Sequence, residues 1–314
     1  MDIFDNGFRL EPYKNPALSA FLAFLVTILT FAVIGPFIGF IIGIIIFDGS
    51  ATTFLAGLSD NAASEDYKIP LLVFQGCASF FGLFVLPAIY LKAAEKISPK
   101  SLFSKRLTLL PWILAGLVTL TFMPANSIFI EWNANIDFPE FMNEFERWAR
   151  ETEASAARLT EQLTQFNHFG EFVLAFIVIA VFAGLGEELV FRGMIQNMLQ
   201  KSFGNIHAAI WVAAALFSLI HMQFFGFLPR MLLGALFGYL YYWSGNLWIP
   251  VFAHMTNNGF MLIMIYLNSI GLIDFDLENS DSAPWLSVLI FAIITFSLMF
   301  FFRKYFIKYN SLND

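Results

Sequence analysis

Charge is scarce in this chain. Of its 314 residues only 13% are Asp, Glu, Lys or Arg, about half of what a soluble domain carries, while 58% are hydrophobic and mean hydropathy is +0.70. A water-soluble globular protein is excluded and an integral membrane protein is left. Cysteine is almost absent. The single Cys77 permits neither an intrachain disulfide nor a thiolate metal cluster and is read as a packing residue. There is no Gly-rich phosphate loop, no internal repeat, no low-complexity tract and no basic, aromatic-interleaved stretch for nucleic acid. The opening MDIFDNGFRLEPYKNP lacks a short apolar core followed by a small-residue cleavage site. A cleavable signal peptide is therefore not expected.

What the chain has is long apolar runs. A helix needs about 20 apolar residues to cross a hydrocarbon core roughly 30 Å thick, and on that criterion spans are expected near 17–47, 70–91, 107–130, 170–198, 206–222, 228–245, 248–270 and 284–303. The fold expected is all-α, a polytopic transmembrane helix bundle of about eight spans forming one membrane domain over 1–314. Gly35-Pro36 offers a kink in the long first span.

A net charge of −7 says little about partners, because which loops carry the basic residues is what sets orientation. If eight spans alternate, twelve of the 17 Lys and Arg fall on one side: Arg9, Lys14, Lys92, Lys96, Lys100, Lys105, Arg106, Arg192, Lys201, Arg303, Lys304 and Lys308. Both termini are thereby expected in the cytoplasm, in a cell (inner) membrane. The opposite side is acidic, with four acids in 48–69 and Asp274, Asp276, Glu278 and Asp281 in 271–283. It also carries the one sizeable polar segment, 131–168, where Phe141, Phe145, Trp148, Ala156, Leu159, Leu163 and Phe166 recur at helical spacing. That pattern is an amphipathic helix at the outer interface, either a cap that packs on the bundle or an element with a substrate-related role.

Ionisable residues at membrane depth are functional candidates. Those inside spans are Glu187, Glu188, Arg192, His221, Arg230 and His254. Glu188 and Arg192 stand four apart, within reach of a salt bridge on one helix face. Glu187 is rotated from Glu188 by about 100° and has no local countercharge, which suits it to accept and return a proton, unless both glutamates share Arg192 structurally. Phe217 and His221 are four apart on the next span, and His254 and Asn258 four apart on another. His168 and His207, in a polar segment and at a span start, need no special explanation. Two imidazoles, one free carboxylate and one amide on three helices are the parts of a water-activating site. The histidines could hold zinc, which lowers the pKa of bound water, a carboxylate could take the proton, and an amide could stabilise an oxyanion.

At EELVFR (187–192), FSLIH (217–221) and HMTNN (254–258) the chain resembles the CAAX prenyl protease and bacteriocin-processing (Abi, CPBP) family of intramembrane metalloproteases. Its motifs are EExxxR, FxxxH and HxxxN, in that order on separate helices. The resemblance covers roughly 170–270, the expected catalytic core. It implies Glu187 as the residue that activates water, His221 and His254 as partners of that water or of a metal, and Asn258 as oxyanion stabiliser. Glu188 and Arg192 would hold the helix geometry and Phe217 would pack beside the site; Asn257 is not implied. If a metal is used, its ligands would be Glu187, His221 and His254. Either a zinc site or a glutamate-activated water without metal fits these residues. The reading is an intramembrane endopeptidase acting on a membrane-tethered or lipidated protein or peptide. Its rival is a non-enzymatic transporter or bacteriocin-immunity protein that uses buried Glu and His for binding or proton relay. Against the rival stands the lack of the repeat symmetry found in many transporters. No nucleic-acid partner is expected, and substrate and oligomeric state are left open. One feature fits poorly. His221 lies about 22 Å along the fifth span from its cytosolic end, whereas Glu187 lies closer to the cytosol, so either that span begins deeper or 193–206 continues as helix.

Overall fold

The structure, a computed structural model, describes residues 8–47, 51–52, 54, 65–274 and 281–311. The loop acids Asp48, Asp60, Asp276 and Glu278 lie outside the described residues. The fold is all-helical, with no strand among the described residues. In chain order the helices are α1 (Pro16–Ile46), α2 (Tyr67–Ala93), α3 (Leu109–Ala134), α4 (Asn143–Thr164), α5 (Phe169–Phe203), α6 (Ile206–Leu219), α7 (Phe224–Ser244), α8 (Trp248–Ser269) and α9 (Trp285–Ser311). Local chemistry fixes several ends. Asn15 accepts the amide hydrogens of Ala17 and Leu18 ahead of Pro16, and Asn205 does the same for His207 and Ala208 at α6, satisfying donors that a helix start leaves unpaired.

Six helices, α1, α2, α3, α5, α7 and α9, are long and apolar enough to cross a bilayer, which makes this a multi-pass membrane protein. The expected count of eight is approximate because of the other two. With 14 residues, α6 rises only about 21 Å, less than a hydrocarbon core. The 22 residues of α8 are diluted by His254, Thr256, Asn257 and Asn258. On the bundle exterior, Phe21, Phe37 and Ile45 of α1, Leu109 and Ile113 of α3, and Phe296 and Phe301 of α9 are exposed, the surface a bilayer covers.

Where spans touch, packing rather than water exclusion holds them. Gly35, Gly39 and Gly43 are buried on one face of α1, just after a π-helical turn at Thr30–Ile34. A Cβ at Gly39 would stand 2.8 Å from the Phe74 carbonyl oxygen of α2 and 3.1 Å from Cys77 Cβ, so only glycine allows this approach. Cys77 is buried in that seam.

Contacts sort the loops into two ends. At one, Lys14 Nζ reaches Glu95 at 3.1 Å, Lys105 bonds Asn310 and Asn246 bonds the Lys105 carbonyl. At the other lie α4 and the loops around it. The Lys68 ammonium reaches Glu171 at 2.5 Å and the Gln165 carbonyl, and the Phe225 amide donates to Glu153. Of the expected stripe, Leu163 and, beyond the end of α4, Phe166 are buried, as is Ala149 outside that stripe. Phe141, 85% exposed, Trp148, 42% exposed, and Leu159, 36% exposed, are not buried.

Candidate active site

The misfit in depth disappears in the α5–α6 hairpin. Instead of stopping near 198, α5 continues as helix to Phe203, and α6 starts at Ile206. Glu187 then sits about 24 Å along α5 from the turn, and His221 two residues past the end of α6, about 21 Å long, and both line one cavity. Two π-helical turns, Phe176–Phe182 and Leu189–Gln196, flank the glutamates. Such turns are frequent at functional sites. Gly186 is compelled by packing: a Cβ there would lie 2.6 Å from Leu83 Cβ on α2.

Behind the glutamates is a buried charge cluster. Arg192 Nη1 donates to Glu188 Oε1 at 2.8 Å, with the two side chains 1% and 0% exposed. Its Nη2 donates to the Gly234 carbonyl at 2.8 Å, and its guanidinium lies 4.8 Å from the Phe217 ring centroid and 5.6 Å from that of Phe237. Buried ions are tolerated when paired and hydrogen-bonded in this manner. Glu188 does more than pair with Arg192. The same Oε1 accepts from His254 Nδ1 at 2.8 Å, so the His254 proton is held on Nδ1 and Nε2 is left to face outward. Nε2 stands 3.7 Å from Glu187 Oε2, too far for a direct hydrogen bond. Phe237 stacks on the imidazole at 5.2 Å between centroids. Phe217 packs edge-on against His221 at 5.1 Å and His254 at 6.0 Å, the neighbour role expected for it.

Glu187, His221 and Asn258 line one cavity of about 380 Å³, together with Gln75, Ser79 and Leu83 of α2 and Leu159, Thr160 and Leu163 of α4. His221 donates Nδ1–H to the Phe217 carbonyl at 2.8 Å, which leaves its Nε2 an acceptor. It opens a tight turn in which Met222 takes φ +56°, a conformation rare for residues other than glycine. Arg230 braces that turn through Gln223 Oε1 at 2.7 Å. Asn258 donates one amide hydrogen to the Ile179 carbonyl at 3.0 Å, and its oxygen accepts from Asn257 at 3.1 Å. One amide hydrogen of Asn258 remains for a ligand.

The seven motif residues, Glu187, Glu188, Arg192, Phe217, His221, His254 and Asn258, thus come together, and Arg230 braces the turn after His221. What sequence reading missed is the Glu188–His254 link, since 66 residues separate the partners, the role of Asn257 in orienting Asn258, and the wall that α4 contributes. His168 and His207 lie elsewhere, bonded to the Glu171 amide and the Tyr239 hydroxyl. Outside the spans, burial pushes the Glu153 carboxyl above its usual range against the opposing pull of the Phe225 amide, Arg230 and Arg150. A catalytic zinc takes three protein ligands at about 2.0–2.3 Å. Among the described residues no three His, Cys, Asp or Glu side chains are gathered in that way; as arranged, Glu187, His221 and His254 do not fit such a set.

Comparison with known proteins agrees with the region. Residues 169–260, under a third of the chain, match the family described as type II CAAX prenyl endopeptidase, Rce1-like. The chain is 29% identical over 91 residues to a protein of Bacillus subtilis (strain 168) named "Putative membrane peptidase YdiL", across 29% of this chain and 37% of that one. It is 28% identical over 82 residues to the uncharacterized protein YpbD of the same organism, across 25% of this chain and 39% of that one. The matches therefore span well under half the length of each relative. No solved structure matches the chain.

Proposed function

We propose that the Rce1-like region makes this chain an intramembrane endopeptidase, hydrolysing a peptide bond of a membrane-tethered or lipidated protein or peptide. The observation that carries the reading is the coupling of a cavity-facing Glu187 to His254 Nε2 at 3.7 Å, with His254 itself held by buried Glu188. Both atoms are acceptors, and a water seated beside the pair can reach either one. In the proposed reaction Glu187 takes a proton from this water as its oxygen attacks the scissile carbonyl carbon. His221 Nε2, an acceptor, orients the water. The free amide hydrogen of Asn258 stabilises the oxyanion, a contribution of about 10²–10³ in rate for one such donor. Collapse of the tetrahedral intermediate breaks the C–N bond, and Glu187 returns the proton to the leaving amine. No step is routed through a metal.

In this reading the Lys-bearing end faces the cytoplasm with both termini, and α4 lies on the far side. Glu187→Gln is the test. The amide keeps the shape but cannot take a proton, so cleavage of a quenched peptide ending in farnesyl-Cys and three further residues should fall at least about 10³-fold with thermal stability unchanged. Undiminished turnover would refute the role of Glu187.

A further inference from the structure

Two polar side chains outside every motif face the same cavity. Gln75 and Ser79 stand one turn apart on α2 and both line the space beside Glu187, His221 and Asn258. Among the described residues neither has a side-chain hydrogen-bond partner. This sets Ser79, 3% exposed, apart from the buried hydroxyl residues of the other spans. Thr27 bonds the Ala23 carbonyl, Thr30 the Gly82 carbonyl, Thr119 the Ala115 carbonyl and Thr295 the Phe291 carbonyl. An unpartnered amide and hydroxyl within a membrane helix are costly, and two of them on one face, aimed into one cavity, are placed for a ligand.

We infer that Gln75 and Ser79 form a hydrogen-bonding subsite for the backbone of the peptide substrate, deepening the endopeptidase reading on which the inference rests. The chemistry is matched. A peptide unit offers one N–H and one C=O, and both the carboxamide of Gln75 and the hydroxyl of Ser79 can donate and accept. The subsite is also rigid. α2 packs backbone to backbone on α5 here: a Cβ at Gly186 would stand 3.3 Å from the Ser79 carbonyl oxygen, and Phe80 lies 4.9 Å from Phe182 between ring centroids. The register of the pair relative to Glu187 is thereby set by the scaffold, as a site that must hold a carbonyl in line with a nucleophile requires. Leu159 and Leu163 of α4 line the same cavity and would supply an apolar surface for substrate side chains.

The test uses the full chain in proteoliposomes and two readouts. With the quenched farnesylated peptide and its unprenylated twin, Gln75→Leu and Ser79→Ala should each raise KM about tenfold, the worth of one hydrogen bond of about 1.4 kcal/mol, with kcat within about twofold. Unchanged KM in both variants, while wild type cleaves, would overturn the subsite and leave the hydrolytic reading standing. The second readout needs no turnover. In a Cys77→Ala background also carrying Glu187→Gln, Ser79→Cys should be modified by a small thiol reagent about tenfold more slowly with saturating peptide. Protection without cleavage by the wild type would support the subsite and sink the hydrolytic reading. No cleavage and no protection would overturn both.

Discussion

Replacing Glu188 by Leu asks two questions at once, because one oxygen atom serves two partners. The substitution strands Arg192, 1% exposed, without its carboxylate. Leaving a buried charge uncompensated costs about 3–5 kcal/mol. The lost acceptor for His254 Nδ1 adds about 1–3 kcal/mol. Removing the cation as well, in Glu188→Leu with Arg192→Met, eliminates the stranded charge. What remains is the unmet Gly234 carbonyl, which Arg192 Nη2 supplied, and the unmet His254. The double variant should therefore be more stable than the Glu188→Leu single by about 2–3 kcal/mol, measured by unfolding in mixed micelles. Its turnover of the quenched peptide should stay depressed about 10–100-fold, the usual cost of losing a carboxylate that orients a working imidazole. Stability would recover while activity would not. If the two single substitutions simply add in the double, the buried pair is not coupled and the account of Arg192 is refuted. If the double variant turns over at the wild-type rate, His254 does not depend on Glu188.

Two further outcomes follow from the scaffold. The Glu153 carboxyl is held above its usual range by burial, so its contribution to stability is present below the unfolded pKa, about 4.3, and is lost as pH rises through the folded value. Thermal midpoints should fall over that interval, and Glu153→Gln should flatten the slope; an identical slope in both proteins would disprove the assignment. Gly39→Leu forces a side chain onto the Phe74 backbone, where even a Cβ stands 2.8 Å from its carbonyl oxygen. It should cost about 1–3 kcal/mol or more and lower the yield of folded protein, whereas Gly204→Ser, which meets no neighbour but must hold φ +63°, should cost only the left-handed backbone strain of about 1 kcal/mol.

The site was readable because ionisable groups are rare in apolar helices, so Glu187, His221 and His254 stood out against hydrocarbon before any fold was known. Asn258 was found through its four-residue spacing from His254. Gln75 and Ser79 carried no such mark, since uncharged polar residues are common in spans and only the missing partners distinguish them. The link from Glu188 to His254 is tertiary and leaves no trace in local spacing. The span count drifted for a related reason: the helices that bring His221, His254 and Asn258 to the site are the short one and the polar one, and hydropathy counts both properties against a span. The length of α5 was misjudged because Gln196, Asn197 and Gln200 resemble the end of a span, although Gln196 and Asn197 are buried and bonded to Gly238 and Tyr241.

The α5–α6 hairpin behaves as a pair of matched rulers hung from one point. Its arms run from Glu187 to Phe203 and from Ile206 to His221, so the depth of the reactive level is written in helix length and not in the turn. One residue inserted into either arm would turn everything beyond it by about 100° and shift it by 1.5 Å, carrying one partner off the cavity. Substitutions within the turn, at Gly204 and Asn205, leave both helix lengths unchanged. The level at which Glu187 and His221 meet is thus a counted quantity, set by the lengths on both sides of the bend.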